Sequence, residues 1–242
     1  MQNYYKTIGA LAAASALVAG TASAEIENIE YEIHGGYSSM YLFRGLDLGD
    51  DLVEGGVDVA GEWNGLGLSA GAWYGSFASS QNNNIDSDEL DLYAEASKDF
   101  GFMTGAVGYI SYQNLRNLGE DSQEIYFSVA KEIFGLDTSL TYFWEIEDAA
   151  SGAGGYTELY TGKSFELSPC LTLNTGATLA YLFDENEFAH LTTKVSLDWA
   201  FTETATLSPY IAASWGLTSE PVSAYGNVAE EFVAGTMLSV SF

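Results

Sequence analysis

Acidic side chains at alternate positions are the residues of this sequence whose types and spacing could do chemistry. They recur along several stretches, as Glu30, Glu32, Asp58, Glu62, Asp91, Glu95, Asp137, Glu145 and Asp198. Residues two positions apart share one face of a β-strand, so these carboxylates would lie on one side of a sheet. Arg44 and Lys194 are the main basic residues that would oppose them. A cavity lined in this way has a negative potential that attracts cations and disfavours anions.

Three features that could indicate catalysis lack the context that catalysis needs. Residues 67–71 match the G-x-S-x-G pattern of hydrolases, but they lie inside an alternating stretch that no helix follows. The two histidines, His34 and His190, both fall on the polar face of their strands. Cys170 is the only cysteine and lies in a turn signal with no base nearby. We therefore predict that the protein is not an enzyme and has no catalytic, cofactor-binding or metal-binding residues.

The elements that must position the carboxylates are strand-length stretches, and twelve of them follow one another to Phe242. Several match the roughly 9–11 tilted residues that cross a bilayer, which is longer than the usual strand of a soluble β-sandwich. Aromatic residues such as Trp63, Trp144 and Trp199 stand near the ends of the stretches, as in the girdles of membrane barrels. A barrel leaves no unpaired edge in lipid. The pattern predicts an all-β fold, a single transmembrane antiparallel up-and-down β-barrel of about 12 strands, over residues 25–242.

The connections between the stretches alternate in length. The short ones are Asn64–Gly65, Phe100–Gly101, Phe134–Gly135, Ser168–Cys170 and Thr202–Ala205. The longer ones are Leu46–Asp51, Ala78–Ser87, Arg116–Ser122, Glu147–Gly155, Asp184–Asn186 and Ser219–Ala229. Outer-membrane barrels have short periplasmic turns and longer external loops. We therefore expect both termini on the periplasmic side and Arg44 near the first external loop.

The N-terminal segment and the composition indicate an exported protein. Residues 1–24 read as a signal peptide, because Lys6 precedes a short apolar run that ends in Ala22-Ser23-Ala24. The net charge is −27, from 34 acidic and 7 basic residues, which excludes a nucleic-acid partner. The expected location is the bacterial outer membrane, and the expected partners are membrane lipid, lipopolysaccharide and the barrel-assembly machinery.

The segment Tyr41-Leu42-Phe43-Arg44-Gly45, continuing Leu46-Asp47-Leu48-Gly49, resembles the opening motif of the TorF-type porins. These are largely uncharacterised bacterial outer-membrane proteins. Residues 55–57 and 68–73 also resemble the second and third strands of that family. Leu46-Asp47 departs from the family, which usually has a polar Ser or Thr after the Arg-Gly. The resemblance implies a barrel with porin activity and no established substrate.

The function predicted from these features is a porin-like channel for passive diffusion of small hydrophilic solutes, with a preference for cations. The residues predicted to line its lumen are Glu32, Arg44, Asp58, Glu62, Asp91, Glu95, Asp137, Glu145, Lys194 and Asp198. Four tyrosines are also predicted to face inward, namely Tyr93, Tyr109, Tyr126 and Tyr210. The alternative is a structural or surface-interaction barrel that has acidic external loops and no open pore.

Overall fold

The alternating stretches form antiparallel β-strands. The computed structural model describes residues 26–79, 85–116, 121–146, 155–218 and 230–242, so the predicted signal peptide lies outside the described residues. The strands are β1 (Glu27–Phe43), β2 (Leu46–Trp63), β3 (Leu66–Ser79), β4 (Ile85–Asp99), β5 (Thr104–Arg116), β6 (Ser122–Ile133), β7 (Leu136–Glu145), β8 (Tyr156–Ser168), β9 (Leu171–Leu182), β10 (Glu187–Ala200), β11 (Ala205–Gly216) and β12 (Glu231–Ser241). Within these ranges, no helix is long and apolar enough to cross a membrane.

The strands close into a barrel, because each pairs with its neighbours in sequence and β1 also pairs with β12. At the closing seam, the backbone amide of Phe242 donates a hydrogen bond to the carbonyl of Tyr31 over 2.9 Å. The described strands therefore have no unpaired edge, which a sheet in lipid requires. The predicted fold, a twelve-stranded antiparallel barrel, is confirmed.

The outward face of the wall is apolar and aromatic. Large apolar side chains that are at least 40% exposed occur on most strands, for example Ile33, Val57, Leu92, Phe127, Leu140, Trp144, Leu159, Trp199, Ile211 and Leu238. They alternate with inward residues along each strand, as the period of two predicted. Exposed apolar surface of this extent is unfavourable in water and suits a hydrocarbon environment.

Two of the predicted short turns have the geometry that two-residue hairpins favour. Asn64–Gly65 and Phe134–Gly135 have positive φ at both residues, 51° and 73° in the first and 54° and 76° in the second. This is the type I′ turn, whose twist matches that of the flanking strands. The prediction of a longer connection at Leu46–Asp51 is wrong, because these residues belong to β2.

The prediction that Tyr109 faces inward is wrong. Tyr109 is 37% exposed and pairs with Ile125, whereas its neighbour Ile110 is fully buried. The inward face of β5 includes Gly108, Ile110 and Tyr112. Gly108 lies under the ring of Tyr126, where an added Cβ would stand 2.1 Å from the ring atom Cζ. The absence of a side chain at Gly108 makes room for that ring.

Candidate functional site: an inward hairpin and an acidic wall

The hairpin formed by β1 and β2 ends in a tight turn at Arg44–Gly45. Its φ values of 49° and 80° again define a type I′ turn, and Phe43 pairs directly with Leu46. The pairing register shifts between Tyr41 and Leu42 in this hairpin, and between β2 and β3 near Asp50–Val53. Such irregularities bend a strand and increase its twist. Both shifts lie in the part of the hairpin nearest the turn.

The base of the hairpin is anchored by an aromatic cluster on β1, β2 and β3. Tyr41, Leu52 and Phe77 are buried together, and the rings of Tyr41 and Phe77 meet edge-on at 4.8 Å. The ring of Trp73 lies 5.5 Å from that of Tyr41. Aromatic pairs of this geometry contribute about 0.5–1.5 kcal/mol beyond the area they bury. The cluster therefore holds the hairpin in its bent position.

The tip of the hairpin reaches the opposite side of the barrel. The Arg44 guanidinium donates two hydrogen bonds to the Glu124 carboxylate on β6, over 2.7 and 2.6 Å. The Tyr112 hydroxyl, on β5, donates to the same carboxylate over 3.0 Å. Bidentate arginine–carboxylate pairs are among the strongest polar contacts in proteins. Both side chains of the pair are largely buried, with 15% and 9% exposed.

Aromatic rings of the far wall surround the Arg44 guanidinium. Its central carbon lies 4.3 Å from the ring centre of Phe143 on β7 and 4.5 Å from that of Tyr156 on β8. The ring of Phe43, from the hairpin itself, lies at 5.0 Å. β7 and β8 are the strands farthest from β1 and β2 in the closed order. The hairpin therefore crosses the barrel interior at this level.

Gly45 lies against the imidazole of His190, on β10. A Cβ at this position would stand 2.5 Å from the ring carbon Cγ of His190. The imidazole cannot easily move away, because its Nε2 hydrogen-bonds the Tyr156 hydroxyl over 2.8 Å and its Nδ1 the Thr192 hydroxyl over 2.9 Å. His190 is buried and supports the docked hairpin tip.

The Gly45 contact leads to a stability prediction with a matched control. Gly45→Ala should destabilise the barrel by about 1–3 kcal/mol, because it adds positive-φ strain and a clash with His190. Gly65→Ala introduces the same strain, at φ 73°, with no atom within 4 Å of the new Cβ. Urea unfolding in detergent should therefore show a larger loss for Gly45→Ala. Equal losses in the two variants would contradict the docked tip.

Carboxylates line the wall beside the hairpin tip. Glu89 and Asp91 on β4 are buried two positions apart, and the Tyr41 hydroxyl donates to Glu89 over 3.4 Å. The sequence predicts that Asp91 faces inward, and it does not single out Glu89 or Glu124. The sequence carries a signal for both, since Glu89 alternates with Asp91 and Glu124 alternates with Tyr126. The cavity at this level measures about 290 Å³, and its lining includes Arg44, Glu89, Asn114, Glu124 and Glu145.

Other predicted residues lie farther along the interior. The Tyr126 hydroxyl donates to Glu95 over 2.7 Å, and the Asn174 amide donates to Asp198 over 2.8 Å. The Lys194 ammonium lies 4.1 Å from the ring centre of Tyr210. Asp137 pairs in register with Gly162, and Glu62 with Gly67, near the ends of their strands.

A third group of side chains meets at the end of the barrel that carries Phe242. His34 Nδ1 lies 3.1 Å from the Asp58 carboxylate, and Glu32 is directly opposite Asp58 in the strand register. The ligating atoms of these three residues all lie within 4.8 Å of one another. The sequence predicted Glu32 and Asp58 as lumen residues, but it did not predict that they meet His34.

The barrel and its hairpin define a bacterial outer-membrane β-barrel. No protein-family model matches the sequence, and a comparison with curated proteins finds no match. Among solved structures, an outer membrane channel from Pseudomonas putida F1 has a TM-score of 0.56 at 12% identity, over 90% of this chain and 96% of that one. The KdgM porin has a TM-score of 0.51 at 11% identity, over 88% and 99%. At these identities the likeness concerns the fold.

An outer-membrane enzyme shares the same architecture. The outer membrane phospholipase dimer of Salmonella typhi, solved with bound calcium, has a TM-score of 0.50 at 14% identity, over 88% of this chain and 90% of that one. The fold alone therefore does not separate a channel from an enzyme. In this chain both imidazoles lie inside the barrel. His34 contacts the Asp58 carboxylate, and His190 hydrogen-bonds the hydroxyl groups of Tyr156 and Thr192.

Proposed function

We propose that this protein is a porin-like channel of the outer membrane that passes small hydrophilic solutes and prefers cations. The observation that carries the proposal is the acidic wall at the level where the hairpin crosses the interior. Glu89, Asp91 and Glu124 are buried there. Arg44 lies at this level, and its charge is offset by the bidentate contact with Glu124. The remaining charge is negative, so a passing cation is favoured over an anion.

The hairpin makes the channel narrow rather than closed in this proposal. A twelve-stranded barrel has a backbone diameter of about 25 Å, which leaves room for a water-filled path beside an inserted hairpin. A wet path also accounts for the many carboxylates of the inward face, because unpaired buried carboxylates without water are costly. The path would run along Glu32, Asp58, Glu62, Asp91, Glu95, Asp137, Glu145, Lys194 and Asp198, with Arg44 at its narrowest level.

The proposal includes the family and the partners that the sequence indicated. The motif that resembles TorF-type porins, Tyr41–Gly45, forms the inward end of the hairpin. This position would give the motif a structural role at the constriction, and the proposal places the protein in that family. Lipopolysaccharide and the barrel-assembly machinery would be partners in the outer membrane. The protein would not be an enzyme, which is consistent with both histidines being engaged in contacts inside the barrel.

A closed structural barrel is the second candidate function. The observation that favours it is the reach of the hairpin, whose Arg44 contacts β5, β6, β7 and β8. In that case the hairpin would act as a plug, and the acidic outer connections would contact cations, lipopolysaccharide or another cell. The two candidates differ in permeability, which can be measured directly.

Purified protein in planar bilayers should conduct ions, with a reversal potential in a KCl gradient that indicates K⁺ preference over Cl⁻. The physical reason is the net negative charge at the constriction. Liposome swelling with sugars of increasing size then measures the solute cut-off. Anion selectivity would overturn the cation preference. Failure to conduct or to swell, in protein shown to be folded, would favour the structural barrel.

A further inference from the structure

Three potential metal ligands converge on one patch of the inner wall, at the end of the barrel where Phe242 closes the seam. Glu32 and His34 are two residues apart on β1 and therefore share a face. Asp58 on β2 is the direct cross-strand partner of Glu32. The paired strands on which all three residues lie form part of the closed wall. A site on such a scaffold is held more rigidly than one on a loop.

The separations between the donor atoms suit a single small cation. His34 Nδ1 and Asp58 Oδ2 are 3.1 Å apart, and a Glu32 carboxylate oxygen lies within 4.8 Å of both. Ligands of one tetrahedral Zn²⁺, at about 2.1 Å from the metal, stand about 3.4 Å from each other. Small side-chain rotations therefore bring the three donors into range. The side chains of His34 and Asp58 are 14% and 15% exposed, so an ion in the barrel interior can reach them.

Each carboxylate is oriented by a hydroxyl group, as is common around metal ligands. The Ser241 hydroxyl donates to Glu32 over 3.1 Å, and the Tyr93 hydroxyl donates to Asp58 over 3.2 Å. The bond to Asp58 uses Oδ1 and leaves Oδ2 directed at His34 Nδ1. The His34 ring lies over Gly56, where a Cβ would come within 2.5 Å of Nε2. The absence of a side chain at Gly56 gives the imidazole its position.

We propose that Glu32, His34 and Asp58 form a binding site for a divalent transition-metal ion of the Zn²⁺ type. One imidazole and two carboxylates leave a fourth position for water, as in open zinc sites. The imidazole favours Zn²⁺, Ni²⁺ or Cu²⁺ over Mg²⁺ and Ca²⁺, which bind oxygen ligands. Glu54 lies close enough to interact with His34 and adds a further negative charge. The site does not depend on whether the barrel conducts.

The test is isothermal titration of the untagged, folded barrel with Zn²⁺ in excess Mg²⁺. Mg²⁺ occupies the many surface carboxylates, so the heat of Zn²⁺ binding comes from sites that include a histidine nitrogen as a ligand. We expect one saturable Zn²⁺ per chain. His34→Gln should weaken it by more than about tenfold, since loss of even an outer-shell partner costs a metal site 10–100-fold. Cu²⁺ bound to the same protein should show coupling to a single imidazole nitrogen in its electron paramagnetic resonance spectrum.

The second histidine provides the matched control. His190→Gln removes the other imidazole of the chain and should leave Zn²⁺ affinity unchanged. Asp58→Asn preserves the side-chain volume and should lower the Zn²⁺ affinity as His34→Gln does. This second variant tests the site if His34→Gln folds poorly. Absence of saturable Zn²⁺ binding would overturn the proposal and identify His34–Asp58 as a structural ion pair only. Equal affinity in His34→Gln and the parent protein would overturn it as well.

Discussion

Arg44→Ala should raise the single-channel conductance several-fold and strengthen the preference for cations. The substitution removes the guanidinium that joins the hairpin tip to Glu124 and to the rings of Phe143 and Tyr156. Removing one partner of a buried ion pair costs about 3–5 kcal/mol, which shifts the ratio of docked to undocked hairpin by more than about a hundredfold. The undocked hairpin widens the path, and Glu124 keeps its negative charge. Planar-bilayer recordings measure both effects.

Arg116→Ala is the control for this variant. Arg116 also pairs with carboxylates, at 2.9 Å from Asp88, but its side chain is 46% exposed. Exposed pairs contribute little to stability, so its conductance should match that of the parent protein. The double variant Arg44→Ala/Glu124→Ala should conduct like Arg44→Ala but show weaker cation preference. A parental conductance in Arg44→Ala would contradict the assignment of the hairpin tip as the constriction.

The double variant Glu89→Gln/Asp91→Asn should lose most of the cation preference while it keeps its fold. Both carboxyl groups are buried beside the hairpin, at 6% and 8% exposure. At an effective dielectric constant of about 20, a carboxylate attracts a monovalent cation about 5 Å away with an energy of about 3 kcal/mol. Neutral amides of the same shape remove that attraction. The reversal potential in a KCl gradient should therefore move toward zero.

A surface variant controls for overall charge. Glu203→Gln removes an exposed acidic residue from the turn between β10 and β11 and should leave the reversal potential unchanged. Urea unfolding should show that Glu89→Gln/Asp91→Asn is at least as stable as the parent, because buried carboxylates are costly to desolvate. If the selectivity of that variant stays parental, the acidic wall on β4 is not the selectivity element.

The hairpin shows how far sequence patterns reach in this protein. Residues 46–51 contain three aspartates and a glycine, which is typical of an external loop. In the structure they extend β2, because Arg44–Gly45 forms a tight turn and Phe43 pairs with Leu46. The direction of the hairpin is set by contacts of Arg44 with Glu124, a residue 80 positions away. Local patterns contain no information about such a pairing.

The assignment of faces succeeds where alternation is clear and fails where it is not. On β4 the acidic residues Asp91 and Glu95 share a face with Tyr93, and the structure buries Asp91 and Tyr93. On β5 both faces contain apolar and small residues, so alternation predicts Tyr109 on the inward face, which Ile110 occupies in the structure. The choice is made by packing, since the ring of Tyr126 fills the space above Gly108.

The sequence by itself determined the barrel, its number of strands and the concentration of carboxylates on one face. These properties follow from a period of two and from turn signals, which act between residues close in the chain. Only the tertiary structure decided that the first hairpin crosses the interior and that Glu32, His34 and Asp58 meet. The first depends on which residues closure of the barrel places across the interior, and the second depends on the register of the β1–β2 pairing, which shifts between Tyr41 and Leu42. That register comes from packing and hydrogen bonding over the whole wall, so short-range spacing cannot encode it.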